Sequence, residues 1–384
     1  MYTRKTFDQF VEDVRAFIGF ELGKGNSDVI IDQTGVEVIL NKYQCLNKAL
    51  TGMKKLKSLT FINCRFVEDG STHSNCGGMF KQMPYVTKLV LENVVFTSTS
   101  NRMILWRMCS YNRKLRNVVF NNVSFGGDGV EVSLANMFEK DEALERIDFI
   151  NCNMSNVYDM SSMFYWCSKL KNITVPRSNV VNNMCYMFYC CFELQNVVFE
   201  QNFNTSNVST IMEMFYSCNK LVSPGVDNFT LQNCTCMTGV FGYCKSLTDL
   251  NLRNWVTTNV RSMERMFSNC KKLKNLIIDN FVTLNCISFS RMFEECNELE
   301  IALLSNFEAN AVNIDYMFHN CHMLNLIVLP KFKFDFVRKI DSFAEGCDNL
   351  EISNIICDNK YRSFVTSMLN SNSRQQSQVT QRLM

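Results

Sequence analysis

The sequence predicts an α/β repeat, a solenoid of short strands and short helices stacked coil upon coil. Three observations predict it. A large apolar residue, usually Phe, recurs every 24–30 residues. The same local pattern surrounds it each time. Within each unit a helical hydrophobic period is followed by a strand period.

The repeat is plain in Met160-Ser-Ser-Met163-Phe164-Tyr-Trp-Cys167-Ser-Lys-Leu170-Lys-Asn-Ile173-Thr-Val175, and again from Met263 through Phe267, Cys270 and Leu273 to Ile278. Registered on the Phe position, the units fall at Leu50, Phe80, Cys109, Phe138, Phe164, Phe188, Phe215, Phe241, Phe267, Phe293, Phe318 and Phe343. That makes about twelve units. Leu follows six residues later in nearly every unit. A Cys position sits just after the Phe and holds Cys167, Cys191, Cys218, Cys244, Cys270, Cys296, Cys321 and Cys347; the first four units have Met53, Met83, Asn112 and Asp141 there.

Met160, Met163, Phe164, Cys167 and Leu170 lie at i, i+3, i+4, i+7 and i+10, the spacing of one face of a short helix. Ile173 and Val175 then alternate, as in a strand with one buried face. Linkers rich in Asn, Thr and Ser follow, suited to side-chain-bonded turns. Phe203, Phe229, Trp255, Phe281 and Phe307 recur in them as plugs between strand and helix. One unit cannot bury its apolar face alone, whereas stacked units can. Identical strands in register form a parallel sheet, and the wider helices behind it place that sheet on the concave side.

The ends need caps. Phe7, Phe10, Val11, Val14, Phe17 and Ile18 share one helical face, which predicts an amphipathic helix over 3–22. The expected organisation is an N-terminal cap over 1–28, a solenoid over 29–358 opening with a strand at Val29-Ile-Ile31, and a polar tail over 359–384.

Composition narrows function. The chain has 384 residues, with 39 Lys and Arg against 37 Asp and Glu. A net charge of +2 argues against nucleic acid and anionic membrane as partners. No apolar run reaches the length of a membrane span. The first residues do not read as a secretory leader. The 19 cysteines are therefore expected as reduced thiols in an intracellular, cytoplasmic setting.

The chemistry-bearing residues read as structural. Metal motifs place two ligands close in sequence, whereas the ladder cysteines are one unit apart. Free Cys packs as a small buried hydrophobe, so Phe164, Cys167, Phe188, Cys191, Phe215, Cys218, Phe267, Cys270, Phe293 and Cys296 are expected in the repeat core. His319 and His322 lie three apart and are expected to be ordinary exposed histidines. No nucleophile–base arrangement and no phosphate-binding Gly loop stands out. A non-enzymatic protein without metal or cofactor is expected.

The candidate surface is the strand face. The residue between each buried pair runs Thr60, Val90, Val119, Asp148, Thr174, Val198, Gly225, Asn251, Ile277, Leu303 and Val328. Val and Ile suit a strand on either face, but apolar residues in a contiguous exposed row mark interfaces. Val90, Val119, Val198, Ile277, Leu303 and Val328 are the candidate protein-binding residues.

Asn207-Val208 with Met214-Phe215, Cys218 and Leu221, and Asn259-Val260 with Met263, Met266-Phe267, Cys270 and Leu273, resemble the BspA-type leucine-rich repeats, a class also seen in mycoplasma lipoproteins. The resemblance is close from Met154 to Leu350 and weaker in the first four units. It implies a right-handed leucine-rich-repeat solenoid with a parallel concave sheet, short convex helices and no catalytic residues. The role implied is binding or adhesion. The leading expectation is a protein–protein interaction scaffold. The alternatives are a part of a multi-chain assembly, such as a minor capsid protein in the virion of a large DNA virus, and a surface adhesin.

Overall fold

The computed structural model describes residues 3–5, 28–32, 37–39, 55–68, 77–127, 129–308 and 310–369. Two compact units divide the chain, Met1–Asn204 and Thr205–Met384. Each is a parallel β-solenoid.

In unit 1 the principal sheet is built from one strand per coil: β1 (Thr3–Lys5), β2 (Asp28–Asp32), β4 (Ser58–Ile62), β6 (Lys88–Ser98), β8 (Asn117–Phe125) and β10 (Arg146–Ile150). All pair in parallel in that order. Short second strands β3 (Glu37–Ile39) and β5 (Arg65–Glu68) pair in sequence onto the later half of β6. A third line of strands, β7 (Arg102–Ile104), β9 (Glu131–Ser133) and β11 (Val157–Asp159), forms its own parallel sheet. β12 (Asn172–Val175) pairs with β13 (Asn196–Phe199). Unit 2 has shorter strands: β14 (Asp249–Asn251) pairs with β15 (Asn275–Ile277), and β16 (Ile301–Leu303), β17 (Leu326–Val328) and β18 (Ile355–Ile356) form a second sheet.

The corner after the first strand is set by Asn. Asn63, Asn93, Asn122 and Asn151 all have φ between 53° and 55°, a left-handed conformation that Asn tolerates. Asn93 Nδ2 donates to Asn63 Oδ1 at 3.0 Å and Asn122 Nδ2 to Asn93 Oδ1 at 2.8 Å. In unit 2 Asn side chains bond coils where strands are short. Asn254, Asn280 and Asn306 each donate to a carbonyl of the preceding coil at 2.7 Å. Asn233, Asn259 and Asn285 do the same at 2.9, 2.8 and 2.7 Å.

The segment read as a short helix is not helical. It closes as successive tight turns, with Met163 N–H donating to Met160 O, Tyr165 to Ser162, Cys167 to Phe164 and Leu170 to Cys167. The residues two before and two after the Phe position have positive φ, as at Ser162 and Trp166, Tyr186 and Cys190, and Arg265 and Asn269. A left-handed residue at every fourth position prevents an α-helix. It turns alternate N–H groups outward onto the next coil: Ser162, Phe164 and Trp166 donate to Cys185, Met187 and Tyr189 carbonyls. The turns bring Met, Phe, Cys and Leu inside at the same 3-4-7 spacing as a helix, which is why the pattern reads as one.

The same geometry corrects the last unit. Phe318 N–H donates to Phe343 O, and the paired left-handed residues are Ser342 and Gly346. Ala344 therefore occupies the Phe position and Phe343 the Met position before it. Where Phe293 and Phe318 stack at 5.2 Å and 4°, Phe318 and Phe343 meet edge to face at 78°.

Both ends depart from expectation. The start of the expected N-terminal helix, Thr3–Lys5, is a strand paired with Val29–Ile31, so β2 is not the first strand; an extended segment there satisfies the edge of β2. Residues 6–27 lie outside the described residues. The tail expected from 359 begins instead as a cap. A 3-10 turn at Asn359–Tyr361 leads into a helix over 362–369, and Tyr361, Val365 and Met368 are buried. Residues 370–384 lie outside the described residues.

The core is a file of Phe rings. In unit 1 Phe138, Phe164 and Phe188 stack at 5.5 and 5.3 Å with planes within 4°. In unit 2 Phe215, Phe241, Phe267, Phe293 and Phe318 stack at 5.2–5.9 Å. The linker plugs Phe203, Phe229, Trp255, Phe281 and Phe307 are buried as well. Phe267 touches rings on both sides, so Phe267→Ala is expected to cost about 3–5 kcal/mol, read as a lower midpoint in thermal unfolding followed by circular dichroism.

Candidate protein-binding surface

Strand alternation sends one side chain per coil outward, and parallel register aligns these into rows. In unit 1 the row is Ile30, Thr60, Val90, Val119 and Asp148. Thr174 aligns with Val198. In unit 2 Asn251 aligns with Ile277, and Leu303 with Val328 and Ile356. Val198 and Leu303 are the most open of the candidates, at 53% and 48% exposed. Val90, Val119, Ile277 and Val328 are half-buried by their neighbours along the row.

The structure adds residues that were not singled out. Ile301, 46% exposed, aligns with Leu326 two residues earlier on the strand, and Ile356, 48% exposed, extends the Leu303 row. β16, β17 and β18 thus present five apolar side chains side by side. Reading only the residue between each buried pair passed over the first outward position of each strand. In unit 1 β10 pairs only with β8 and the ladder stops short of β12. An open depression of about 510 Å³ lies there, lined by Asp148, Ile150, Lys171, Thr174, Asn196 and Val198.

The Cys ladder faces inward. Cys167 donates its thiol proton to Phe138 O, and Cys191 to Phe164 O, each at 3.1 Å. Cys244, Cys270, Cys296, Cys321 and Cys347 do the same to Phe215, Phe241, Phe267, Phe293 and Phe318 at 2.9–3.2 Å. The carbonyl at each Phe position turns into the core, where it needs a donor small enough to fit between rings. The thiol is therefore more than a small hydrophobe. Phe164, Cys167, Phe188, Cys191, Phe215, Cys218, Phe267, Cys270, Phe293 and Cys296 are all fully or almost fully buried. Burial pushes the Cys270 thiol up to about 12.

His322 Nδ1 lies 2.8 Å from Asp348 Oδ2, and His319 Nδ1 lies 4.0 Å from Glu345 Oε2. Among the described residues no three His, Cys, Asp or Glu side chains gather as a metal site. Among them also, no helix is long and apolar enough to cross a membrane.

A family described as "Mycoplasma protein of unknown function, DUF285" matches residues 132–249 and 235–355, more than half of the chain. The chain belongs to this family.

Two bacterial leucine-rich repeat proteins of known crystal structure are similar to this DUF285 protein. One from Bacteroides ovatus is 17% identical, with 78% of each chain covered and a TM-score of 0.34. One from Eubacterium ventriosum is 14% identical, with 83% of this chain and 90% of that one covered and a TM-score of 0.30. The Drosophila Toll–Spatzle complex matches at 14% identity over 91% of this chain and 45% of that one, with a TM-score of 0.26. No curated protein matches the chain.

Asp141, within the matched residues, holds the Cys position of the fourth unit. Asp141 is completely buried. Its Oδ1 accepts the Asn112 N–H at 2.6 Å, while its Oδ2 is buried with no hydrogen-bond partner. Asn112, at the same position one coil earlier, accepts from Met83 N–H at 2.6 Å and donates to Phe80 O and Cys109 O. Burial pushes the Asp141 carboxyl well above the usual carboxylate range, and the Asn112 hydrogen bonds offset only part of that. Below about pH 4 the carboxyl is protonated in both the folded and the unfolded chain. Above that the unfolded chain ionises and the folded one keeps its proton. Stability then falls by about 1.4 kcal/mol per pH unit, until pH reaches the folded-state pKa. Asp141→Asn removes this dependence. Its thermal midpoint is expected to match the natural protein near pH 4 and to exceed it at pH 7, measured by circular dichroism.

Proposed function

We propose that this DUF285 protein is a non-catalytic scaffold that binds a protein partner on the outward face of its sheets. The observation that carries the reading is the apolar cluster of Ile301, Leu303, Leu326, Val328 and Ile356 on β16–β18. Parallel register sets these side chains in adjacent rows, and three of them are close to half exposed. A contiguous apolar patch rimmed by polar residues is the usual mark of a protein interface. Strand propensity alone accounts for Val and Ile in a β-row, but Leu303 and Leu326 have no such preference and still stand outward. The abundant thiols support a surface role over a chemical one. Those of the ladder, such as Cys270, are buried and spent on core carbonyls, and burial pushes the Cys270 thiol up to about 12.

The double variant Leu303→Lys/Val328→Lys places charge on the patch without entering the core. Its affinity for the partner, identified by cross-linking from the native source, is expected to fall by about tenfold or more, about 1.4 kcal/mol. The thermal midpoint is expected to stay unchanged. Undiminished binding by the double variant would move the interface off β16–β18.

A further inference from the structure

In unit 2 the turn-face cations of the Phe267 coil are paired from the following coil. Lys271 and Lys274 pair with Glu295 and Glu298, each at 3.1 Å. Relative to the Phe position, these cations sit at the fourth and seventh residues, and their partners at the second and fifth residues of the next unit. The first coils of unit 1 lack these carboxylates. Lys57 occupies the seventh position, and the next coil answers with Gln82 and Tyr85. Arg113 and Arg116 occupy the fourth and seventh, and the next coil answers with Lys140 and Ala143.

The cations of these coils face solvent. Lys57, Lys88, Arg113, Lys114 and Arg116 are exposed on three successive coils, about 4.8 Å apart from coil to coil. Lys57 and Lys114 flank Tyr85, with their ammonium groups 5.9 and 5.2 Å from its ring centroid. Arg116 reaches Glu145 at 4.0 Å, at the edge of the group. Lys57, Lys88, Arg113 and Lys114 make no ion pair among the described residues. Such concentration is unexpected in a chain whose net charge is +2, and it selects an anionic partner.

We infer that this face of unit 1, centred on Tyr85, receives an extended carboxylate-rich segment of a partner protein. Two features favour peptide over nucleic acid. The Tyr85 ring is engaged by two ammonium groups, so it offers no open platform for base stacking. Lys88 and Val90 also stand outward on one strand, and Val119 aligns with Val90 on the next coil. An extended chain alternating acidic and apolar side chains matches both rows at the period of a strand. The inference rests on the scaffold reading and specifies a second contact, on unit 1, for the same kind of partner.

The test uses the full chain and a fluorescein-labelled peptide of alternating Glu and Val, followed by fluorescence anisotropy at low salt. Lys57→Glu/Lys114→Glu/Arg116→Glu is expected to weaken binding by about tenfold or more. The control Lys245→Glu/Lys272→Glu/Lys333→Glu makes the same charge change on unit 2 and is expected to leave binding within about threefold. Equal loss in both variants, or no saturable binding by the natural chain, overturns the inference. Tighter binding of oligothymidylate than of peptide, abolished by the first variant, also overturns it and assigns the patch to phosphate polymers. The native partner separates the two readings. If it is lost with Leu303→Lys/Val328→Lys but kept by the unit 1 variant, the scaffold stands and this contact falls; if both variants keep it, both readings fall.

Discussion

Within each unit, coils are held to their neighbours by backbone hydrogen bonds, on the turn side as well as on the sheet side. A solenoid unit has no core of its own, so its stability comes from its neighbours. Here the turn face adds a parallel ladder that a helix could not supply, because a helix spends its N–H groups within itself. The left-handed residues two before and two after each Phe position are the cost of that ladder. Ser, Tyr, Trp and Arg occupy some of these sites, where an L-residue is strained by about 1–2 kcal/mol. The ladder and the Phe file behind it offset the strain in every coil.

From this constraint the recurrent residue choices follow. Inward carbonyls at the Phe positions require donors, and the thiols of Cys167, Cys270 and their equivalents supply them. Corners without a helix require residues that accept positive φ, and Asn supplies both that and a hydrogen bond to the preceding coil. Where unit 2 shortens its strands, the amides of Asn254, Asn280 and Asn306 take over part of the stitching.

Much of this was legible in the sequence. The repeat length, the principal strand of most coils, the inward Phe and Cys and the outward Val90, Val198 and Leu303 all follow from spacing alone. The turn face was not legible, because successive tight turns and a helix share one apolar spacing and differ in backbone sign, which side-chain polarity does not encode. The register of the last unit was lost for a related reason: Phe343 and Ala344 are adjacent, and the larger side chain masked the true position. The basic face around Tyr85 was hidden by averaging. A net charge near zero does not say where the charges fall, and only coil-to-coil register shows that Glu295 and Glu298 have no counterpart beside Lys57 and Arg113. Asp141 was visible as a departure from Cys, but the burial of its Oδ2 without a hydrogen-bond partner is not encoded in the repeat spacing.

The thiol spine has a consequence beyond packing. A sulfhydryl bonded to a carbonyl and sealed between aromatic rings reacts with an alkylating reagent only after its coil has opened. Repeat arrays open piecewise, with terminal segments giving way at lower free energy than interior ones. Because nearly every coil from Cys167 onward carries one such group, the chain holds a row of natural gauges, each reporting the lifetime of its own coil. Half-buried Cys347, at the end of its row, sits where that gauge reads fastest.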